Sequence, residues 1–285
     1  SEFNRLNLRN NVTVRPTKDF KVSLGLAYSR SLAKSPGQGS NSNNGFQFVN
    51  QIPAIYPVFE HDENGNLVND PKIPGGKSYD YGQTADGSRA YAGGINPAGA
   101  VRLDRDEDLS NLTTGNLNLE YRFLKDFKLA VTYGFQSTAS KNETLANPYY
   151  GDAAKIGRIY NTNENDFSWT LNEILSWGKT FGDHTVDAFI AHEATKNELD
   201  FHYSGKKKLI LGNVTTLDDG LIRGDISGYR LTYAIESYFG QARYDYQNKY
   251  YLSTSVRRDG SSRFAPDYRW GTFGSVGAAW IISKE

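Results

Sequence analysis

The sequence of 285 residues contains no cysteine and no methionine. Without cysteine there is no disulfide, no thiol nucleophile and no cysteine-held metal. Basic and acidic residues balance at 32 each, so no net charge points to nucleic acid or to an acidic partner. There is no run of 18 apolar residues and the mean hydropathy is −0.60, which excludes a transmembrane helix. It does not exclude transmembrane strands, which need be apolar on one face only. No signal-peptide pattern precedes the first strand. A chain that opens on Ser1 without methionine is read as processed or as part of something longer.

What the chain does have is aromatic residues, with 19 Tyr, 15 Phe and 4 Trp, and a period of two. Phe20, Val22, Leu24, Leu26 and Tyr28 alternate with Lys21, Ser23, Gly25, Ala27 and Ser29. Leu117, Leu119, Tyr121 and Phe123 alternate with Asn116, Asn118, Glu120 and Arg122. Side chains along a strand point to opposite faces in turn, so each segment has one apolar and one polar face. Strands are expected over 3–15, 19–31, 111–124, 126–138, 165–178, 183–196, 229–246, 249–259 and 269–282. The faces of 183–196 are not assignable, because "HTVDAFIAHEAT" is apolar in both registers. The clean segments reach the roughly nine to eleven residues that a tilted strand needs to cross a bilayer.

The connections alternate in length. Short ones fall at 15–19, 124–126, 178–183 and 247–249, and longer ones at 32–110, 139–164, 197–228 and 260–268. Outer-membrane barrels have short periplasmic turns and longer loops outside, whereas a soluble sandwich has no reason to sort its loops by end. Trp169 with Trp177, and Trp270 with Trp280, each share one strand face near its two ends, as two membrane interfaces require. The fold class read from these patterns is all-β, a transmembrane antiparallel β-barrel with long extracellular loops.

The stretch "SYFGQARYDYQNKYYLSTSVRRDGSSRFAPDYRWGTFGSVGAAW" resembles the barrel of the SusC/RagA family, TonB-dependent outer-membrane transporters of Bacteroidota. Its "RRDGSSRF" and "RWGTF.SVGAAW" elements are specific. "NLNLEYRFLKDFKLAVTYG", "NPYYGDA" and "LNEILSWGKTFGDHTVDAF" look like mid-barrel segments of the same family. The resemblance spans nearly the whole chain and is weakest in 32–110. It implies a 22-stranded barrel, a plug domain, TonB as a partner, a SusD-like surface lipoprotein as a lid, and an oligosaccharide or peptide as substrate. No stretch resembles the plug or the TonB-contacting segment. Residues 1–285 are therefore expected to form a middle portion of the barrel domain, with 32–110 as a loop insertion. Alternatives are a siderophore-type receptor, a porin, or a soluble all-β carbohydrate-binding module.

No catalytic residue, metal ligand or cofactor is assigned. His61, His184, His192 and His202 form no zinc-protease pair or nucleophilic triad pattern. Asp62, Asn64, Asn66 and Asp70 have calcium-loop-like spacing, but Leu67 and Ile73 replace the required Gly and Glu, so a turn on Asn64-Gly65 is expected instead. Aromatic faces on loops suit a sugar or peptide ligand. The expected binding residues are Tyr56, Tyr79, Tyr81 and Tyr91 in the first long connection, with Tyr149, Tyr150 and Tyr160 in the second. The alternative is that such rings fold the loops onto themselves or touch a lid. Asp259, Arg263, Asp267 and Arg269 are expected to form a charge network holding the shortest outer connection.

Overall fold

The computed structural model of the chain describes residues 2–35, 55–84, 87–88, 93–94, 96–212 and 216–284, together with 50, 53 and 214. Long antiparallel strands form one nine-stranded sheet. They are β1 (Glu2–Val14), β2 (Phe20–Lys34), β5 (Arg105–Phe123), β6 (Phe127–Ala146), β7 (Arg158–Phe181), β8 (His184–Leu209), β9 (Gly220–Tyr246), β10 (Tyr250–Ser261) and β11 (Trp270–Trp280). Each pairs only with its neighbours in that order. Among its described residues the connection between β2 and β5 carries a two-residue pair, β3 (Gln83–Thr84) and β4 (Gly87–Ser88), and a short helix, α1 (Pro97–Leu103).

Every expected strand is present, and five extend well past their expected outer ends. β5 begins at Arg105 rather than 111, β6 runs on to Ala146, β7 starts at Arg158, β8 reaches Leu209 and β9 starts at Gly220. These long extensions lie at the end away from the short turns. There both faces meet water, so the apolar-polar alternation fades while the backbone ladder continues. The added part of β8, "KNELDFHYSGKKKL", has charged or polar residues on both faces.

The register fixes the faces. Val12, Leu24, Leu117, Tyr133 and Leu171 lie in one cross-strand row. Ser23, Asn118, Thr132 and Asn172 lie in the row beside it, on the other face. Strand β8 now resolves: Val186, Ala188 and Ile190 join the apolar face, opposite Tyr244, Ala242 and Gly240. Its second apolar register arises because Phe189 stands on the polar face, edge-on to Phe239 at 6.1 Å.

Exposure along the wall is inverted relative to a soluble sheet. In β10 the exposed positions are Tyr250, Leu252, Thr254 and Val256, while Tyr251, Ser253, Ser255 and Arg257 are half-buried. In β2, Leu24 and Leu26 are exposed and Gly25 between them is buried. The convex side is thus the apolar one, and the concave side carries Asn, Ser, Thr and charge. Such a surface is stable against hydrocarbon and unstable against water.

The short turns are tight. Leu124 and Lys125 adopt φ of +48° and +64°, and Gln247 and Asn248 adopt +53° each. Gly182 closes the β7–β8 hairpin at +60°, where a side chain is unfavourable. The outer β10–β11 connection departs from the expected charge network. Asp259 pairs with Arg257 (2.7 Å), its neighbour on the same strand face, Arg263 lies 4.1 Å above the Tyr233 ring, and Arg269 donates to the Phe264 carbonyl (3.2 Å). Alternation puts Arg257 and Asp259 side by side on the concave face, so the shorter-range partner wins.

Among the described residues the wall encloses no core of its own. The buried apolar residues Leu145, Ile159 and Leu209, with Leu217 against them, sit at the outer ends of β6–β8, beneath the loops.

Candidate binding cap

The connections at the outer ends of the wall fold together. Residues 59–79 form a ladder of bridges, Phe59 with Tyr79, His61 with Leu67 and Asn69 with Lys77. At its tip Asp62 Oδ1 accepts from the backbone of Asn64 and Asn66, and Gly65 takes φ +81°. This is the turn expected on Asn64-Gly65. The backbone and side-chain hydrogen bonds from Asn66 hold the Asp62 carboxyl below its ordinary pKa.

Helix α1 is tied to this ladder by its first residue. Asn96 caps the helix by accepting from Gly99 N (3.2 Å), and its amide donates to the carbonyls of Val58 and Asp80. The connection between β6 and β7 then locks against both. Asp104 accepts from the backbone and side chain of Asn147, and Asn147 in turn accepts from Tyr149 N and Tyr150 N. Tyr150 stacks on Tyr81 with centroids 4.6 Å apart and planes 6° from parallel, and its hydroxyl donates to the buried Asp70 (2.8 Å). Lys72 sits 4.4 Å over the Tyr150 ring and donates to Tyr149 O. The β8–β9 connection joins through Gly212 N, which donates to Tyr149 Oη (3.2 Å). Three outer connections thus make one cap.

Burial raises the Tyr150 phenol to about 12, reinforced by its hydrogen bond to Asp70 and opposed by that to Ser78. Burial pushes Tyr81 higher still, with the charges of Asp104 and Asp70 adding to it. The Tyr81 hydroxyl is buried with no hydrogen-bond partner among the described residues.

The expected binding tyrosines therefore have different places. Tyr79 and Tyr81 are buried inside the cap, Tyr79 tilted against Phe59 at 5.0 Å and accepting from Arg102. Tyr149 and Tyr150 are half-buried at the junction of the three connections, and Tyr56 is half-buried at its edge. Tyr91 lies outside the described residues. Tyr160 stands on the concave face near the outer end of β7, stacked on Tyr203 of β8 at 5.8 Å. On the same face Phe201 stacks on Tyr229 of β9 at 4.9 Å. Tyr203, Phe201 and Tyr229 were not among the residues expected from sequence. Their signal was the alternation Leu199, Phe201, Tyr203 in a segment whose polar neighbours had it read as loop.

No protein-family model matches the chain. The TonB-dependent receptor SusC of Bacteroides thetaiotaomicron is 29% identical over 194 residues, covering 67% of this chain and 19% of that protein. The TonB-dependent receptor P3 of Formosa agariphila is 26% identical over 199 residues, with the same shares covered. The solved structure of the RagAB peptide transporter follows 99% of this chain, and 30% of that one, with a TM-score of 0.75 at 20% identity. The chain is similar to TonB-dependent receptors of the SusC/RagA type. It spans 19% of the length of the curated relatives just described, and its wall has the fold of an arc of an outer-membrane barrel. That placement in an outer-membrane barrel accounts for the inverted exposure, the sorted connections and the tryptophans at both rims.

Proposed function

We propose that this SusC/RagA wall belongs to an importer of a large nutrient, an oligosaccharide or a peptide, across the outer membrane. It works with a SusD-like surface lipoprotein as lid and with TonB through parts outside this chain, and it carries no chemistry of its own. Residues 1–285 serve as barrel wall, with the long β2–β5 connection as an outer insertion and the plug supplied from elsewhere in the protein.

The observation that carries the reading is the pair of aromatic stacks on the concave face directly below the cap, Tyr160–Tyr203 and Phe201–Tyr229. A ring face is a low-entropy platform for a sugar ring or an apolar peptide side chain. Tyr160 and its stacking partners contact the solute. Tyr56, Tyr149 and Tyr150 line the approach, Tyr79 and Tyr81 hold the cap in shape, and Tyr91 is assigned to the same connection.

The test uses the full-length transporter in cells offered labelled oligosaccharides or labelled peptides. Tyr203→Ala with Tyr229→Ala should lower uptake of one class about tenfold, in line with 1–3 kcal/mol for losing aromatic contacts, while the heat-modifiable barrel is unchanged. Undiminished uptake of both classes would overturn the role of the stacks.

A further inference from the structure

The apolar face of the wall is interrupted by a charged row. Glu173, His192, Tyr238 and Arg258 lie directly opposite one another on β7, β8, β9 and β10. Each is eight residues from the short-turn end of its strand, at Phe181, His184, Tyr246 and Tyr250 respectively. At about 3.3 Å per residue and a tilt near 45°, the row lies about 19 Å above that rim, in the outer part of a band about 25 Å tall. Trp270 stands just above it, stacked near Tyr238 at 6.3 Å.

Glu173 in this row and Glu236 next to it are already engaged. His192 reaches Glu173 through Nδ1 (3.0 Å) and Glu236 through Nε2 (3.3 Å), and Tyr238 donates to Glu236 (2.6 Å). Arg258 is different: it is exposed, lies 5.2 Å over the Trp270 ring, and makes no ion pair among the described residues. Immediately below runs a groove of about 550 Å³ walled by Leu175, Ile190 and Val256, with Gly240 in its floor. A side chain at Gly240 would meet the Phe189 carbonyl at 2.9 Å, so the groove depends on glycine there. An unpaired guanidinium at the head of an apolar furrow, on a lipid-facing surface, complements an anionic head joined to a hydrocarbon chain.

We propose that this face holds a net-anionic, phosphate-bearing lipid of the outer leaflet, its phosphate on Arg258 and one acyl chain in the furrow between Ile190 and Val256. The inference rests on the membrane placement of the wall, which the heat-modifiable barrel checks separately.

The intact transporter in dodecyl maltoside is titrated with dioleoyl phosphatidic acid and dioleoyl phosphatidylcholine and read by native mass spectrometry. The wild type should retain the first about fivefold better than the second, the preference of one basic group for an anionic head. Arg258→Gln, which keeps the side chain's bulk, should erase the preference. Val256→Trp, which fills the furrow, should weaken both lipids. Equal retention of the two by the wild type would mean that Arg258 merely reaches to water, and would overturn the site. So would displacement of the phosphatidic acid by inorganic phosphate with no effect of Val256→Trp, which would leave an anion site without a lipid. A disulfide-linked dimer of a Val256→Cys variant would give the face to a second copy and refute the lipid.

Discussion

Single side chains carry the membrane reading at Leu24 and Ser23, adjacent in β2 and on opposite faces. An arginine on the lipid side costs about 2–4 kcal/mol at mid-bilayer, while the water-lined side tolerates it. Leu24→Arg should therefore deplete the folded, heat-modifiable barrel far more than Ser23→Arg. Equal depletion would reverse or abolish the faces. In the cap the informative residue is Tyr150, whose phenol is raised to about 12. Because the folded state holds this proton more tightly, its stabilisation is complete below the ordinary tyrosine pKa near 10. It is lost as pH rises from about 10 to about 12. Cap unfolding, followed by proteolysis across that range, should be steeper in the wild type than in Tyr150→Phe. Gly205 is a third case: an added Cβ would come within 2.5 Å of the Tyr160 ring. Gly205→Ala should shift that ring and weaken the Tyr160–Tyr203 stack, lowering cap stability by about 1 kcal/mol in urea titrations read by tyrosine fluorescence.

Among the elements, the strands were legible in sequence where a bilayer imposes two unlike faces, and illegible where it does not. The segment 20–31 reads as a strand because leucines must face lipid and serines water. The stretch 197–209 is equally regular in its ladder, but Glu198, Asp200 and His202 stand on the convex side and Leu199, Phe201 and Tyr203 on the concave side, the reverse of a lipid-facing segment, so its alternation does not announce a membrane strand. Ser204, in the stretch 197–228 expected as a connection, is instead paired with Asn161 and Ile226 within the sheet. Asp218, whose side chain is fully exposed in the β8–β9 connection, is therefore the site that reports the outer side. Asp218→Cys should react with an impermeant maleimide on intact cells, and Asn248→Cys only after the outer membrane is opened. The opposite pattern would invert the direction of every strand. The cap was legible only in part: Tyr149 and Tyr150 fall in an expected outer connection, but nothing local announced that Tyr150 would meet Asp70, some eighty residues earlier. Such pairings are fixed by packing between loops, which one-dimensional pattern does not encode.

For the molecule as a whole, the β10–β11 connection that joins two short strands is held by a ring contact rather than by an ion network. Arg263→Ala should lower the thermal stability of the barrel, by about 0.5–1 kcal/mol for an exposed cation–π contact, and uptake should fall only in proportion to folded protein. Normal folding with uptake selectively abolished would give Arg263 a direct role in the solute path. The rest of the wall is a meander in which each strand meets its sequence neighbour, with one exception, the closure of β5 onto β2 across the connection that holds most of the cap. Joining distant segments of a flexible chain costs only about 0.6 kcal/mol more for each doubling of the intervening length. The paired stretch from Phe20 with Tyr121 to Lys34 with Glu107 supplies a full ladder against that small charge. The insertion can therefore lengthen, shorten or be exchanged wholesale with little penalty to the sheet beneath it. In evolutionary terms such a sheet leaves room for the cap to be rewritten while the strands that carry it stay in register.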